Sequence, residues 1–271
     1  MLEEKTQLEK RQSRFDVTDA ANIALFLAAF VGIWQLVFML GVWPESALPS
    51  PATVVGAIGS LTANSSLPIG IGITLLRLVA GFVISIGIGV AVGLVMVKFR
   101  GFGKTMSSFA VGLLTFPSIV WAIFAILPFG YTDIAILFVI IMASVFSVMI
   151  TTYSSIRNIP PIYMRAGRNM GATGFALFRH VMIPAATPSL ILGIRQAWSF
   201  AWHALIGAEI LITTLSGLGY ILSVGRDFGV MEDIIATMIT IFVIGIVFDR
   251  VFFAKVEERV RSRWGLDQHA E

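Results

Sequence analysis

Hydropathy constrains this chain more than any other feature. Six apolar stretches run near Ala21–Trp43, Ile71–Val97, Ser107–Leu127, Thr132–Thr152, Ser189–Ile212 and Asp233–Phe253. A hydrocarbon core of about 30 Å takes roughly 20 helical residues to cross, so each stretch is long enough to span a bilayer. Composition agrees: hydrophobic residues make up 57% of the chain and charged residues 13%, about half the usual charged share of roughly 25%. So few charges cannot coat a water-soluble body of this size. The first run is too long for the core of a signal peptide and no small-residue cleavage site follows it, so it reads as a retained helix.

The basic residues decide orientation. Of the 19 Lys and Arg, sixteen fall on one side of the predicted spans. They sit in the N-terminal arm (Lys5 to Arg14), the second-to-third connection (Lys98 to Lys104), the fourth-to-fifth connection (Arg157 to Arg179) and the C-terminal end (Arg250 to Arg263). The opposite side holds Arg226 alone, and Arg77 and Arg195 fall within or at the edge of spans. The positive-inside rule then places both termini in the cytoplasm. The net charge of +3 is thereby explained as topology, and no nucleic acid partner is needed. The chain has no cysteine, which removes thiolate metal sites and thiol nucleophiles. It carries no GxxxxGK[ST] phosphate loop. The outward connections, Pro44–Gly70, Pro128–Tyr131 and Thr213–Glu232, are too short to fold as separate domains.

Two groups of intramembrane residues stand out. Gly81, Gly87, Gly89 and Gly93 line the second span, where small residues allow close helix packing or a hinge. The fifth span carries Arg195, Trp198, Trp202, His203 and Glu209. Arg195, Trp202 and Glu209 are spaced by sevens and share a face. At 1.5 Å per residue Arg195 and Glu209 lie about 21 Å apart, so each needs a partner from another helix. The face either forms interhelical bonds or lines a polar path, and His203 reads as a bundle residue rather than a metal ligand.

The connection Tyr153–Pro188 carries the sharpest signal. Pro160 and Pro161 suit a helix start, and Ile162 to Met170 gives two to three turns. Gly171 suits a C-terminal cap that needs positive φ, and Thr173 an N-cap. Pro184 and Pro188 are expected to end the second short helix. Phe175, Leu177, Phe178 and Val181 are expected to form an exposed apolar face that wants a partner on the cytoplasmic side.

This connection resembles the "EAA" loop, E-A-A-x3-G-x9-I-x-L-P, of permease subunits of ATP-binding-cassette importers. Arg165, Ala166 and Gly167 stand at the E-A-A places, Gly171 at the glycine, and Val181-Met182-Ile183-Pro184 follows after nine residues. Arg replaces Glu, Gly replaces an Ala, and Val and Ile replace Ile and Leu. Leu48-Pro49-Ser50-Pro51, Thr74 to Arg77, Phe116-Pro117-Ser118-Ile119 through Gly130, Gly193 to Arg195, Ala208-Glu209, Gly217 to Tyr220 and Arg263-Trp264 are similar to the nitrate/sulfonate/taurine group of these permeases, which also resembles bicarbonate carriers.

The resemblance implies an all-α membrane subunit of six helices, of the type I importer permease fold, seated in the bacterial inner membrane. It divides into an N-terminal arm (1–20), a permease domain (21–254) and a C-terminal tail (255–271). Two copies would surround a central path for a small anion. The chain would be non-catalytic and hold no cofactor, with ATP and Mg on cytoplasmic ATPase partners. Those partners would dock on Arg165, Ala166, Gly167, Arg168, Gly171, Ala172, Thr173, Phe175, Phe178 and Pro184. An extracytoplasmic binding protein would deliver solute past Phe116, Pro117, Trp121, Arg195, Trp198, Trp202, His203 and Glu209. A stand-alone ion-coupled transporter is the alternative, and it needs a carboxylate free to bind a cation inside the bilayer.

Overall fold

The computed structural model describes residues 2–212 and 214–263, and the side chains of residues 2–20 and 261–263 are left aside. The part of the C-terminal tail that holds Trp264 lies outside the described residues. The described residues are all-helical. Helices α1 (Leu2–Met39), α2 (Pro51–Ala63), α3 (Ser66–Lys98), α4 (Arg100–Leu114), α5 (Ser118–Phe129) and α6 (Asp133–Arg157) make up the first half. Helices α7 (Pro161–Asn169), α8 (Gly174–Leu177), α9 (Ile183–Leu211), α10 (Leu218–Phe228), α11 (Met231–Val247) and α12 (Ala254–Arg263) make up the second. Two π-helical turns, Phe178–Met182 and Phe248–Phe253, join α8 to α9 and α11 to α12.

Five helical stretches are long and apolar enough to cross a membrane, and the bent pair α4–α5 makes a sixth if counted as one span. The third predicted span, Ser107–Leu127, is therefore not a single helix: its two halves meet at 94°. The cause is local. Proline disfavours the helical conformation in the residue before it, here Phe116. Pro117 itself sits at φ −57°, ψ 129° and starts α5 in a new direction.

The core is built on α6, whose long run from Ala135 to Ile156 is the most enclosed segment of the chain. Small residues let its neighbours approach. A Cβ added at Gly89 would fall 2.7 Å from Val148, one at Gly93 2.6 Å from Thr152, and one at Gly193 2.0 Å from Thr151. The glycine stripe of α3 is thus a packing seam, whereas Gly87 points into open space. Ser144 donates across the same seam to Ser85 at 2.8 Å. Such contacts matter because lipid is as apolar as the helices, so close packing and interhelical hydrogen bonds hold the bundle together.

Pro184 and Pro188 do not end a helix as the sequence suggests. Pro184 lies in the first turn of α9, and the apolar helical stretch continues from Gly174 to Leu211. The π turn directly before Pro184 widens the backbone where a proline ring would otherwise meet a carbonyl one turn back. The first and fifth connections between predicted helices, Pro44–Gly70 and Thr213–Glu232, also contain helices that hydropathy misses. In α2, Ser50 accepts from the Thr53 N–H at 3.1 Å and Pro51 opens the helix. The other, α10, follows its N-cap residue Gly217. Helix α1 stands largely apart, with Ala21–Met39 unburied. It meets the body through Trp34, whose indole N–H donates to the Pro49 carbonyl at 3.0 Å.

Candidate functional site

Three assemblies of polar or exposed residues emerge from this scaffold. The first is the short-helix bend. Helix α7 ends as expected at Gly171, which has φ +84°. The Ala172 N–H donates to the Gly167 carbonyl at 3.0 Å and the Gly171 N–H to the Arg168 carbonyl at 2.9 Å. That pair of bonds is the Schellman cap. Thr173 precedes α8 but makes no side-chain cap bond. Gly167 is buried where α7 lies on the next segment, with room for a Cβ denied by Val181 at 2.8 Å and Leu177 at 3.0 Å.

This packing corrects the expected apolar face. Leu177 is buried and Phe178 and Val181 are half-buried, because α7 folds over them. Phe175 is exposed as expected, and the apolar side chains exposed with it are Ile162, Tyr163 and Met170. Arg165, Ala166 and Arg168 are exposed beside them, while Ala172 and Pro184 are half-buried.

The second assembly closes the opposite end of the bundle. Glu209 is completely buried. Its carboxylate accepts from Arg77 Nη1 at 2.8 Å, from the Thr74 hydroxyl at 2.9 Å and from the Gly219 N–H at 3.0 Å. Arg77 also donates to Asp133 Oδ1 from Nε at 2.9 Å, to the Ser216 carbonyl at 2.8 Å and to Thr214 Oγ1 at 3.0 Å. The Leu218 N–H donates to Thr74 Oγ1 at 2.9 Å. The first turn of α10 thus presents its free N–H groups to this network, where the helix dipole favours negative charge. A buried ion pair needs its remaining donors and acceptors satisfied, and no buried side-chain polar atom among the described residues lacks a partner. Gly217, at φ +117°, and Gly219 are required by space: added Cβ atoms would lie 2.6 Å from Glu209 Oε1 and 2.4 Å from Glu209 Cβ.

The third assembly lies along α9. Arg195 is half-exposed and holds Asp249 through two bonds of 2.7 and 2.6 Å and Glu257 at 3.0 Å. Trp198 is half-buried between Phe82, at 5.2 Å edge-on, and Phe248, at 5.0 Å stacked, and Trp202 is buried. Of the predicted face, Glu209 is buried in its ion pair, whereas Arg195, Trp198 and Trp202 border a cavity that His203 also lines. The open polar face of α9 is the neighbouring one, Gln196, Ser199 and His203, all exposed. Of the residues expected on the path, His203 remains on that face. Phe116 is exposed at the bend and Trp121 half-buried beside it, at 5.8 Å between rings.

Sequence reasoning missed Arg77 and Asp249 as the partners of Glu209 and Arg195, and missed Gln196 and Ser199. The signal for the last two was available, as polar residues four apart from Ser199 to His203 and three apart from Gln196 to Ser199. Two cavities flank this face. One of about 560 Å³ lies toward α11 and the other, about 300 Å³, opens at the α4–α5 bend; His203 borders both.

The described residues form a helical bundle with close packing seams and one apolar stretch broken by a sharp bend. The family described as "Binding-protein-dependent transport system inner membrane component" matches residues 83–262, and the chain belongs to it. A permease of Escherichia coli (strain K12) named for aliphatic sulfonates transport is 31% identical over 240 residues, covering 88% of this chain and 90% of that one. A bicarbonate transport system permease of Synechococcus elongatus is 28% identical over 177 residues, covering 65% and 64%. The fold is also that of a chain of the MetNI methionine ABC transporter solved in inward-facing conformations. The TM-score is 0.59 at 17% identity, over 73% of this chain and 98% of that one.

Proposed function

We propose that this chain forms the membrane path of an ATP-driven importer for a small anion and couples to a cytoplasmic ATPase through the bend from α7 to the π turn. The observation that carries the reading is the exposure of Ile162, Tyr163, Met170 and Phe175 along a segment locked by the Gly171 cap and the Gly167 packing. Water-facing apolar side chains of this size, on a segment that also exposes Arg165 and Arg168, suit a protein partner. With the bent pair counted as a sixth span, the distribution of Lys and Arg supports a cytoplasmic bend and cytoplasmic termini. A binding protein delivers solute to the opposite end, and a second copy completes the path along Gln196, Ser199 and His203, since polar groups at membrane depth face a cavity or partner rather than lipid. An anionic solute is supported by relatives named for aliphatic sulfonates and bicarbonate.

The ion-coupled alternative lacks its central requirement. Glu209, the carboxylate it would use, already holds Arg77, Thr74 and Gly219. The test is co-purification with the ATPase encoded beside this chain, followed by ATP hydrolysis and uptake in proteoliposomes. Phe175→Glu with Tyr163→Glu is expected to abolish co-elution. Unchanged assembly and coupled hydrolysis in that variant would refute the docking.

A further inference from the structure

The larger cavity, about 560 Å³, lies between α9 and α11, within the usual size range for small-molecule pockets. Its charged groups gather at one end. Arg195, Asp249 and Arg250 line it there, and Ile206, Leu222, Met238, Ile241 and Phe242 line it further on. From Arg195 to Ile206 the α9 wall runs about 16 Å at 1.5 Å per residue. Ser199 and His203 form the lip toward the open polar face of α9. On the other rim Met238, Phe242 and Ile246 are exposed, so in a membrane this slot opens sideways to lipid.

Two donors in this cavity are uncommitted. Arg195 is held by Asp249 and Glu257. Arg250, exposed beside them, makes no hydrogen bond or ion pair among the described residues. Trp202 is only 8% exposed, and its indole N–H also makes no hydrogen bond among them. No fully buried side-chain nitrogen there lacks a partner, so this N–H keeps an opening, and the cavity that Trp202 lines supplies it. The indole lies over Gly245, where an added Cβ would come 3.4 Å from Nε1. An indole N–H only donates, and hydrocarbon cannot satisfy it. Gly245 lies about 7 Å of helix deeper than Arg250.

We infer that this cavity binds a phospholipid, with its phosphate on Arg250, an ester carbonyl on the Trp202 indole N–H, and an acyl chain along Ile206, Ile241, Phe242 and Met238. The order of the groups carries the assignment. A cation at the basic end, a donor one to two turns deeper and an apolar slot beyond it match, in sequence, the phosphate, glycerol ester and hydrocarbon of such a lipid. Basic pockets between spanning helices suit anionic headgroups, and Arg meets phosphate through two parallel hydrogen bonds. A second copy of the chain fits less well, because a spanning helix laid here spends its carbonyls on its own backbone and brings no phosphate. Seated between α9 and α11, the lipid closes the flank of the Gln196, Ser199 and His203 face against the bilayer. This site needs neither solute nor ATPase, and so goes beyond the importer reading.

The experiment uses the full chain, purified in detergent, washed free of lipid and titrated with dioleoylphosphatidylglycerol or with dioleoylglycerol, which lacks the phosphate. Native mass spectrometry counts the bound lipid. One tightly held phosphatidylglycerol per chain is expected, with dioleoylglycerol weaker by about tenfold or more. Arg250→Gln should weaken phosphatidylglycerol by the same factor, while Arg250→Lys retains most of the binding. Trp202→Phe keeps a ring and loses the N–H, and should weaken both lipids alike. Gly245→Leu fills the slot and should abolish the bound species. If that variant fails to fold by circular dichroism, the exposed Arg250→Gln still decides. Equal binding of the two lipids, or an unchanged titration in Arg250→Gln, overturns the inference. The chain has no cysteine, so Phe242→Cys adds a single thiol at the rim of the slot. Ready disulfide cross-linking of two copies through it in phosphatidylglycerol vesicles would put a second copy in the slot and also overturn the inference. Neither result touches the importer reading, which stands or falls on co-elution with the ATPase and on uptake.

Discussion

Helix α9 carries two charged residues, and the molecule treats them in opposite ways. Arg195, near the basic end, is half-exposed and paired with the equally open Asp249. Glu209, at the other end, is completely buried and paired with an Arg77 that is 7% exposed. Water screens the first pair and cannot reach the second. The energetic consequence differs accordingly: exposed pairs contribute little, whereas removing one member of a buried pair strands a charge in a medium that cannot solvate it. The buried pair also joins more elements. Arg77 and Glu209 together tie α3, the start of α6, α9 and the first turn of α10, and the exposed pair ties α9 to the C-terminal segment.

That comparison can be tested by breaking each side. Arg77→Ala is expected to have the largest effect, a loss of about 3–5 kcal/mol, seen as a collapse of the thermal unfolding midpoint in detergent. The Arg77→Ala/Glu209→Ala double variant should be less damaged than the sum of the single ones, because it leaves no orphan charge. Next comes Gly219→Ala, where a methyl group would sit 2.4 Å from Glu209 Cβ. Displacing α10 should cost about 1–3 kcal/mol and raise hydrogen exchange across Leu218–Phe228. Gly171→Ala, at the basic end, meets open space and suffers only from its φ of +84°. A loss of about 1 kcal/mol confined to α7 is expected, with a drop in ATPase coupling larger than the drop in stability. Arg195→Ala should be the mildest, under about 1 kcal/mol, and its effect should shrink further in high salt. If Arg195→Ala proved as damaging as Arg77→Ala, burial would not be what separates the two ends.

The residues legible in the sequence share one property: their reason is local. Gly171 was recognisable as a cap because a helix ending there needs positive φ, and Pro160–Pro161 as a start because the first turn has N–H groups to spare. The EAA-like spacing from Arg165 to Pro184 was readable for the same reason. What failed depended on neighbours distant in sequence. Leu177 and Val181 were expected to be exposed because nothing in their own segment shows that α7 folds onto them. Spacing put Arg195, Trp202 and Glu209 on one face of α9 but could not show that Glu209 is buried while Arg195 and Trp202 border a cavity. The bend at Phe116–Pro117 was within reach of the proline rule, but an uninterrupted hydropathy run masks a change of direction.

The sequence alone determined that this chain lives in a membrane, which end is basic and where its short-helix bend lies. Hydropathy, charge count and backbone preference are properties of short windows, and such windows suffice for these conclusions. Only the tertiary structure decided that Glu209 belongs to Arg77 and Arg195 to Asp249, that α10 roofs the buried pair, and that the open polar face of α9 is Gln196, Ser199 and His203. Those outcomes turn on which surfaces meet, across 132 residues for Arg77 and Glu209 and 54 for Arg195 and Asp249, and only the packed bundle settles that.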